Sequence, residues 1–360
     1  MIRFSDKQWE TVIENYRKWW KVELGRPILP VIITGADPGR SEPKAPHPQF
    51  INCADLSVPA EAVIDRFDYE LSCCEFHGDS YPWAPMHHFG PGVGAAFLGA
   101  TLEPAEDTVW FHLDKEIPIE ELYLAYNENN KWLNRIKDLY RAGVKKWGNS
   151  VCMAMTDIGG NLDILASFLG TEKLLVECID HPREVKRLCL EITALWLRFY
   201  EELNDLLGGQ RVYSDWSSQL SEKPTYMLQC DFSYMISTGM FRDYVYDDLY
   251  QISSKLNRTF YHLDGTGEIP HLDTIMSIDA IKGIQWIPGA GAAEKRDWSE
   301  LYQRISRAGK KIMAPYDLDS YLDEIIAVIK SPDELIKMQM SYLMSDKEKV
   351  LKKLDKYGLN

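Results

Sequence analysis

The sequence predicts an α/β protein folded as a (β/α)8 barrel with an added N-terminal helix. Short apolar, β-branched or aromatic runs alternate with helical patterns along the chain, which implies parallel strands joined by crossover helices. About eight such runs occur, and no dinucleotide-type G-x-G-x-x-G follows the first, which favours a closed barrel over an open doubly wound sheet. The 360 residues suffice for one barrel of about 250 residues with additions. No linker, repeat or low-complexity tract divides them, so a single domain over 1–360 is expected.

The N-terminal helix is marked by Ser5 and Gln8, a capping-box pair, followed by Trp9, Ile13, Tyr16 and Trp20 on one face. Gly25 and Pro27 close it. Residues 28–33, Ile-Leu-Pro-Val-Ile-Ile, read as a buried strand. The polar, Pro-rich stretch from Thr34 to Pro48 then reads as a loop over a site or a disordered excursion. Helices are expected over 120–142 and 182–207, the second opening at Asp180-His181-Pro182 and closing on Gly208-Gly209. Further strands are expected within 150–156, 211–216, 226–236, 258–263, 281–287 and 311–316.

Composition excludes several function classes. With 40 Lys+Arg against 54 Asp+Glu the net charge is −14, and no basic stripe interleaved with aromatics offsets it, so nucleic acid is not an expected partner. No window reaches the roughly 18 uncharged apolar residues of a membrane span, and the start lacks an apolar signal segment. A cytoplasmic protein is expected. Its seven cysteines are scattered without a CxxC, as for reduced thiols rather than a disulfide framework.

In such a barrel the chemistry lies where strands end and the following loops begin. His262 and Asp264 close one strand just before Gly265 and Gly267, and period-two alternation points both side chains the same way. Such a pair can ligate a metal, clamp a polar substrate, serve as acid and base, or merely brace the loop. Gln229-Cys230-Asp231-Phe232-Ser233 ends another run. There Cys230 is either a metal ligand or a packed thiol, while Asp231 and Ser233 are placed to hydrogen-bond a substrate. Asp157, before Gly159-Gly160, and Asp215, before Trp216, also end strands, as site carboxylates or helix caps.

The stretch 76–92 holds His77, His87 and His88 beside Trp83. Adjacent histidines project differently, so His87 and His88 are poor joint ligands, and His88 is the one assigned to the mouth. Gln285 and Trp286 precede Pro288, Gly289 and Gly291, a corner that either binds phosphate through backbone N–H groups or simply turns. Trp83, Trp216 and Trp286 would give the mouth an aromatic wall.

These residues carry a family resemblance. Gly90-Pro91-Gly92 with Leu98-Gly99, Phe168-Leu169-Gly170 leading to His181-Pro182, Tyr234 to Tyr244, and the Tyr261-His262-Leu263-Asp264-Gly265 strand end occur in order over roughly 75–290. In this the chain resembles the uroporphyrinogen decarboxylase superfamily, whose (β/α)8 barrels include the haem-pathway decarboxylase and cobalamin-linked methyltransferases. The decarboxylase's Arg-Gln-Ala-Gly-Arg-Tyr loop has no counterpart, the arginines of that region being Arg26 and Arg40. A porphyrinogen with its many carboxylates needs such cationic clamps.

The methyltransferase branch is the nearer likeness. His262 matches the first residue of its zinc-binding His-x-Cys element, Asp264 stands at the Cys, and the run 311–316 lacks the branch's C-terminal Cys. The resemblance therefore implies a substitute metal set of His262, Asp264 and Cys230, with Glu268 as a further candidate; carboxylates do ligate zinc. The implied activity is methyl transfer between a small methylated substrate and a corrinoid on a partner protein. In it His262, Asp264, Asp231 and Asp157 carry the chemistry with zinc, and Asp215, Trp216, Ser233, Trp83, His88, Gln285 and Trp286 hold the substrate. The alternatives are a metal-independent lyase or decarboxylase acting on a small non-porphyrin acid, and a barrel that binds without turnover.

Overall fold

The computed structural model describes residues 1–256, 258–289, 297–314, 318 and 321–359. In chain order their strands are β1 (Pro30–Thr34), β2 (Cys74–Gly78), β3 (Trp83–Ala84), β4 (Thr101–Pro104), β5 (Val109–His112), β6 (Cys152–Met153), β7 (Tyr226–Leu228), β8 (Thr259–Asp264), β9 (Ile281–Ile287), β10 (Lys311–Ala314), β11 (Leu335–Lys337) and β12 (Met340–Leu343). The main sheet is five-stranded and parallel, in the order β11-β10-β9-β8-β7. A parallel bridge from Ile28 to Ile336 carries it on to the segment before β1. β3 and β6 form a separate parallel pair, and β4 and β5 an antiparallel hairpin. β1 lies between β12, parallel, and β2, antiparallel.

The protein is thus a mixed α/β structure with parallel sheets, but its ladders do not join into a closed barrel among the described residues. One expected strand is missing because its end curls. In the run 211–216 Tyr213 bridges to Ser221, and the Ser214 carbonyl accepts the Met155 N–H at 2.9 Å, without forming a strand. Beyond it the Asp215 carboxylate accepts the Ser217 N–H at 2.9 Å and the Gln219 amide at 2.8 Å, while Ser218 takes φ 62°. These local bonds compete with sheet pairing. The run 311–316 is a strand through Ala314, and Tyr316, like Gly291, lies outside the described residues.

Helix boundaries follow their caps. The N-terminal helix, Asp6–Trp20, carries the expected capping box of Ser5 and Gln8. The helix expected over 120–142 instead spans Lys131–Trp147, because the Asn130 side chain accepts the N–H groups of Trp132 and Leu133 and so starts it later. Pro182–Leu207 has the expected bounds. No helix among the described residues is long and apolar enough to cross a membrane.

The larger core lies between helices and strands, and a smaller one lies under the strands' N-terminal ends. In the smaller, Trp9, Val12, Tyr16 and Trp19 of the N-terminal helix pack on Ile28, Met227, Phe260, Met313 and Ile336. Burying such side chains contributes about 1.5–3 kcal/mol each, so the helix is part of the core. Gly283 makes room beneath it, since a Cβ there would lie 2.2 Å from the Phe260 ring. The Lys311 ammonium donates to the carbonyls of Trp19 and Asp333 and ties the helix end to β10. This covers one end of the strands with apolar packing.

Candidate functional site

At their C-terminal ends, β8 and the turn after β7 bring three side chains together. Strand alternation sets His262 and Asp264 on one face, and Asp231 enters from the turn Asp231–Met235. One ligand atom from each of Asp231, His262 and Asp264 lies within 4.8 Å of the other two. His262 and Asp264 are half-buried and Asp231 is exposed. Asp163, in the helix Asn161–Leu169, fixes that turn by accepting the N–H of Asp231 at 3.1 Å and of Phe232 at 2.8 Å.

The imidazole is held from two sides. Its Nδ1 is bonded to Gln285 Oε1, across the β8–β9 register that pairs the two residues. Trp216 meets the ring edge to face, with centroids 5.4 Å apart. Burial lowers the His262 pKa, with the Gln285 bond and the charges of Asp264 and Asp163 opposing. The ring is therefore neutral at pH 7, the form that ligates metals.

Carboxylates crowd the same region, and their pKa values rise accordingly. Asp231 is exposed at the rim, yet the protein around its carboxyl and the charge of Asp264 push it to about 6. Burial and the charge of Asp231 push both Asp157 and Asp163 to about 7. Glu268, wholly buried and bonded to the Tyr261 hydroxyl at 3.2 Å, is also raised well above its ordinary range, by burial and then by Asp231 and Asp163. A bound cation would relieve this crowding.

A crevice of about 360 Å³ opens beside the group, with Gly92, Trp110, Phe111, Asp163, Asp231 and Phe232 among its walls. The hairpin β4–β5 forms one wall and holds Trp110 63% exposed at the rim. A second cavity, of about 540 Å³, lies where His47, Phe50, His87, His88 and Asp107 meet. A third, of about 380 Å³, is lined by Trp298, Tyr302, Tyr321 and Ile325. It contains no member of the Asp231–His262–Asp264 group, so chemistry favours the crevice over it.

The remaining expected site residues are spread more widely. Cys230 is fully buried and stands apart from the three ligand groups, its thiol pushed well above its ordinary range by burial and then by Asp163 and Glu268. Asp215 is buried, with its carboxylate committed to Ser217 and Gln219. Its pKa is raised by burial against those bonds. Trp83 donates to the Asp215 carbonyl at 3.2 Å and stacks on His87. Ser233 is buried, and its carbonyl accepts from His271 Nε2 at 2.9 Å.

His88 packs between Phe67 and Phe89, where burial lowers its pKa to about 3. It is a neutral ring of the second cavity. Trp286 alternates with Gln285 on β9, so it faces away from His262 and packs edge-on against Trp298. Gln285, 1% exposed, gives its amide N–H groups to the sulfurs of Met313 at 3.3 Å and Met338 at 3.0 Å. Asp163 carries no sequence signal of its own, because Asn161-Leu162-Asp163 reads as an ordinary first helical turn.

No protein-family model and no curated protein matches the chain. Among solved structures it is similar to a methyltransferase from Methanosarcina mazei, with a TM-score of 0.59 and 11% identity over 96% of this chain and 99% of that one. A mandelate racemase/muconate lactonizing enzyme from Sulfitobacter sp. also matches, at a TM-score of 0.30 and 10% identity over 95% of this chain and 74% of that one. The first likeness runs nearly the full length of both chains, and what they share is the fold.

Proposed function

We propose that the chain is a metal-assisted methyltransferase of the uroporphyrinogen decarboxylase type, on a (β/α)8-type barrel, moving a methyl group between a small methylated substrate and a corrinoid carried by a partner protein. The observation that carries this reading is the Asp231–His262–Asp264 group, with its donor atoms within 4.8 Å of one another. A neutral imidazole and two carboxylates suit zinc with a position left for substrate, and the oxygen majority also suits harder divalent ions. An ion held there would supply Lewis acidity to the heteroatom that bears the methyl group. Asp163 holds Asp231 in place, Gln285 and Trp216 hold the ring, and the crevice walled by Trp110 and Phe111 receives the substrate. The fold shared with a methyltransferase is in keeping with this reading.

A second reading, a metal-independent lyase or decarboxylase on a small non-porphyrin acid, is favoured by one observation. Asp157 titrates at about 7, where a carboxyl can both give and take a proton. Elemental analysis of protein purified anaerobically without chelator separates the two. Roughly one metal ion per chain in the wild type and none in His262→Ala supports methyl transfer. No metal in either protein overturns it in favour of the acid–base lyase.

A further inference from the structure

We propose that Met313, Met338 and Gln285 act in series as positioning residues that fix His262 in the tautomer with the proton on Nδ1 and the lone pair on Nε2. The relay crosses neighbouring strands. His262 of β8 pairs in register with Gln285 of β9, which pairs with Met313 of β10, and Met338 follows β11 directly. Gln285 Nε2 lies 3.3 Å from Met313 Sδ and 3.0 Å from Met338 Sδ, and Gln285 Oε1 faces His262 Nδ1.

The direction of the relay follows from what each atom can do. A thioether sulfur accepts hydrogen bonds and cannot donate them, so two sulfurs at one end of an amide select its NH2 end. Turning the amide over would set its oxygen against both sulfurs and an N–H against the imidazole. With the amide so held, its oxygen can only accept, and the Nδ1 it faces must donate. Gln285 is buried, so water does not compete for these groups. The neutral ring then has Nε2 as its single basic atom, and second-shell bonds of this kind orient metal-binding histidines.

The inference rests on the metal-assisted reading only for the use made of Nε2; the tautomer stands or falls separately. The test is long-range proton–nitrogen NMR of metal-free protein labelled with 15N-histidine, comparing wild type, Gln285→Leu and the Met313→Leu/Met338→Leu double variant. Expected is an Nδ1–H His262 in the wild type, loss of that tautomer in Gln285→Leu, and a mixture in the double variant, which keeps volume and removes the acceptors. The His271 signal, whose Nε2 donates to the Ser233 carbonyl, should stay unchanged and so reports that the fold is intact. A wild-type Nε2–H ring, or an Nδ1–H ring that persists in Gln285→Leu, overturns the relay. Zinc titration of the same proteins should show about a 10–100-fold weaker affinity in Gln285→Leu. A wild type that binds no zinc yet shows the tautomer change upholds the relay and overturns the metal reading.

Discussion

Asp163 accepts the backbone N–H of Phe232 at 2.8 Å, so a helix on one side of the crevice dictates where the turn bearing Asp231 stands. Asp163→Ala removes that bond and the one to the Asp231 N–H. Hydrogen bonds contribute about 0.5–1.5 kcal/mol each, and burial and Asp231 hold this carboxyl near pKa 7 rather than fully charged, so urea unfolding should show a loss of about 1–3 kcal/mol. Asp163→Asn, which keeps one acceptor, should fall between. Unchanged stability in the alanine variant would show that the turn holds itself.

The membership of the ligand group can be read by paired substitutions. Asp231→Ala should abolish bound metal, whereas Cys230→Ala should retain it and lose only about 1 kcal/mol from the vacated thiol. Elemental analysis with thermal unfolding checks both. Metal lost from the Cys230 variant alone would return the thiol to the ligand set.

Gly159 turns with φ 92°, and a Cβ there would lie 2.6 Å from the Cα of Gly92. Gly159→Ala should therefore destabilise the protein by about 2–4 kcal/mol and shift the adjacent Asp157. A thermal unfolding curve that matches the wild type would show that the two backbones can part without cost.

Asp248 supplies a pH prediction away from the candidate site. It is buried between helices, and burial pushes its pKa from 3.8 to about 7, opposed by the bond with Thr193 and reinforced by Asp163. The Thr193 hydroxyl donates to the Asp248 carboxylate, which is why that bond opposes the shift. A folded pKa above the unfolded one stabilises fully below pH 3.8 and is lost as pH rises through about 7. Asp248→Asn should remove that part of the slope between about pH 4 and 7, on the order of 4 kcal/mol at most. Urea unfolding across pH checks it, and a parallel pair of stability–pH curves would refute the assignment.

Much of this organisation was legible in the residues, and the remainder has identifiable physical reasons. The capping box at Ser5 and the bounds of Pro182–Leu207 follow from local chemistry alone. The pairing of His262 with Asp264 follows from strand alternation, whereas Trp286, expected in the aromatic wall beside Gln285, lies on the other face of β9 because neighbours on a strand alternate. What local pattern could not supply was the partner of each polar group. Asp215 is spent on Ser217 and Gln219, and Asp163 serves the turn some seventy residues later. Which of the adjacent residues Cys230 and Asp231 meets His262 depends on the dihedrals of one turn, where Cys230 has φ −160° and ψ 80°. The hairpin β4–β5 went unassigned because its four-residue strands carry too short an alternation to stand out.

The aromatic packing of Trp9, Tyr16 and Trp19 under the strands bears on traffic through the molecule. With that floor in place one end of the strands is covered by apolar rings, and Asp231 meets the crevice that Trp110 rims at the other. On the proposed reading, a molecule lodged beside Trp110 would obstruct both entry to that crevice and exit from it.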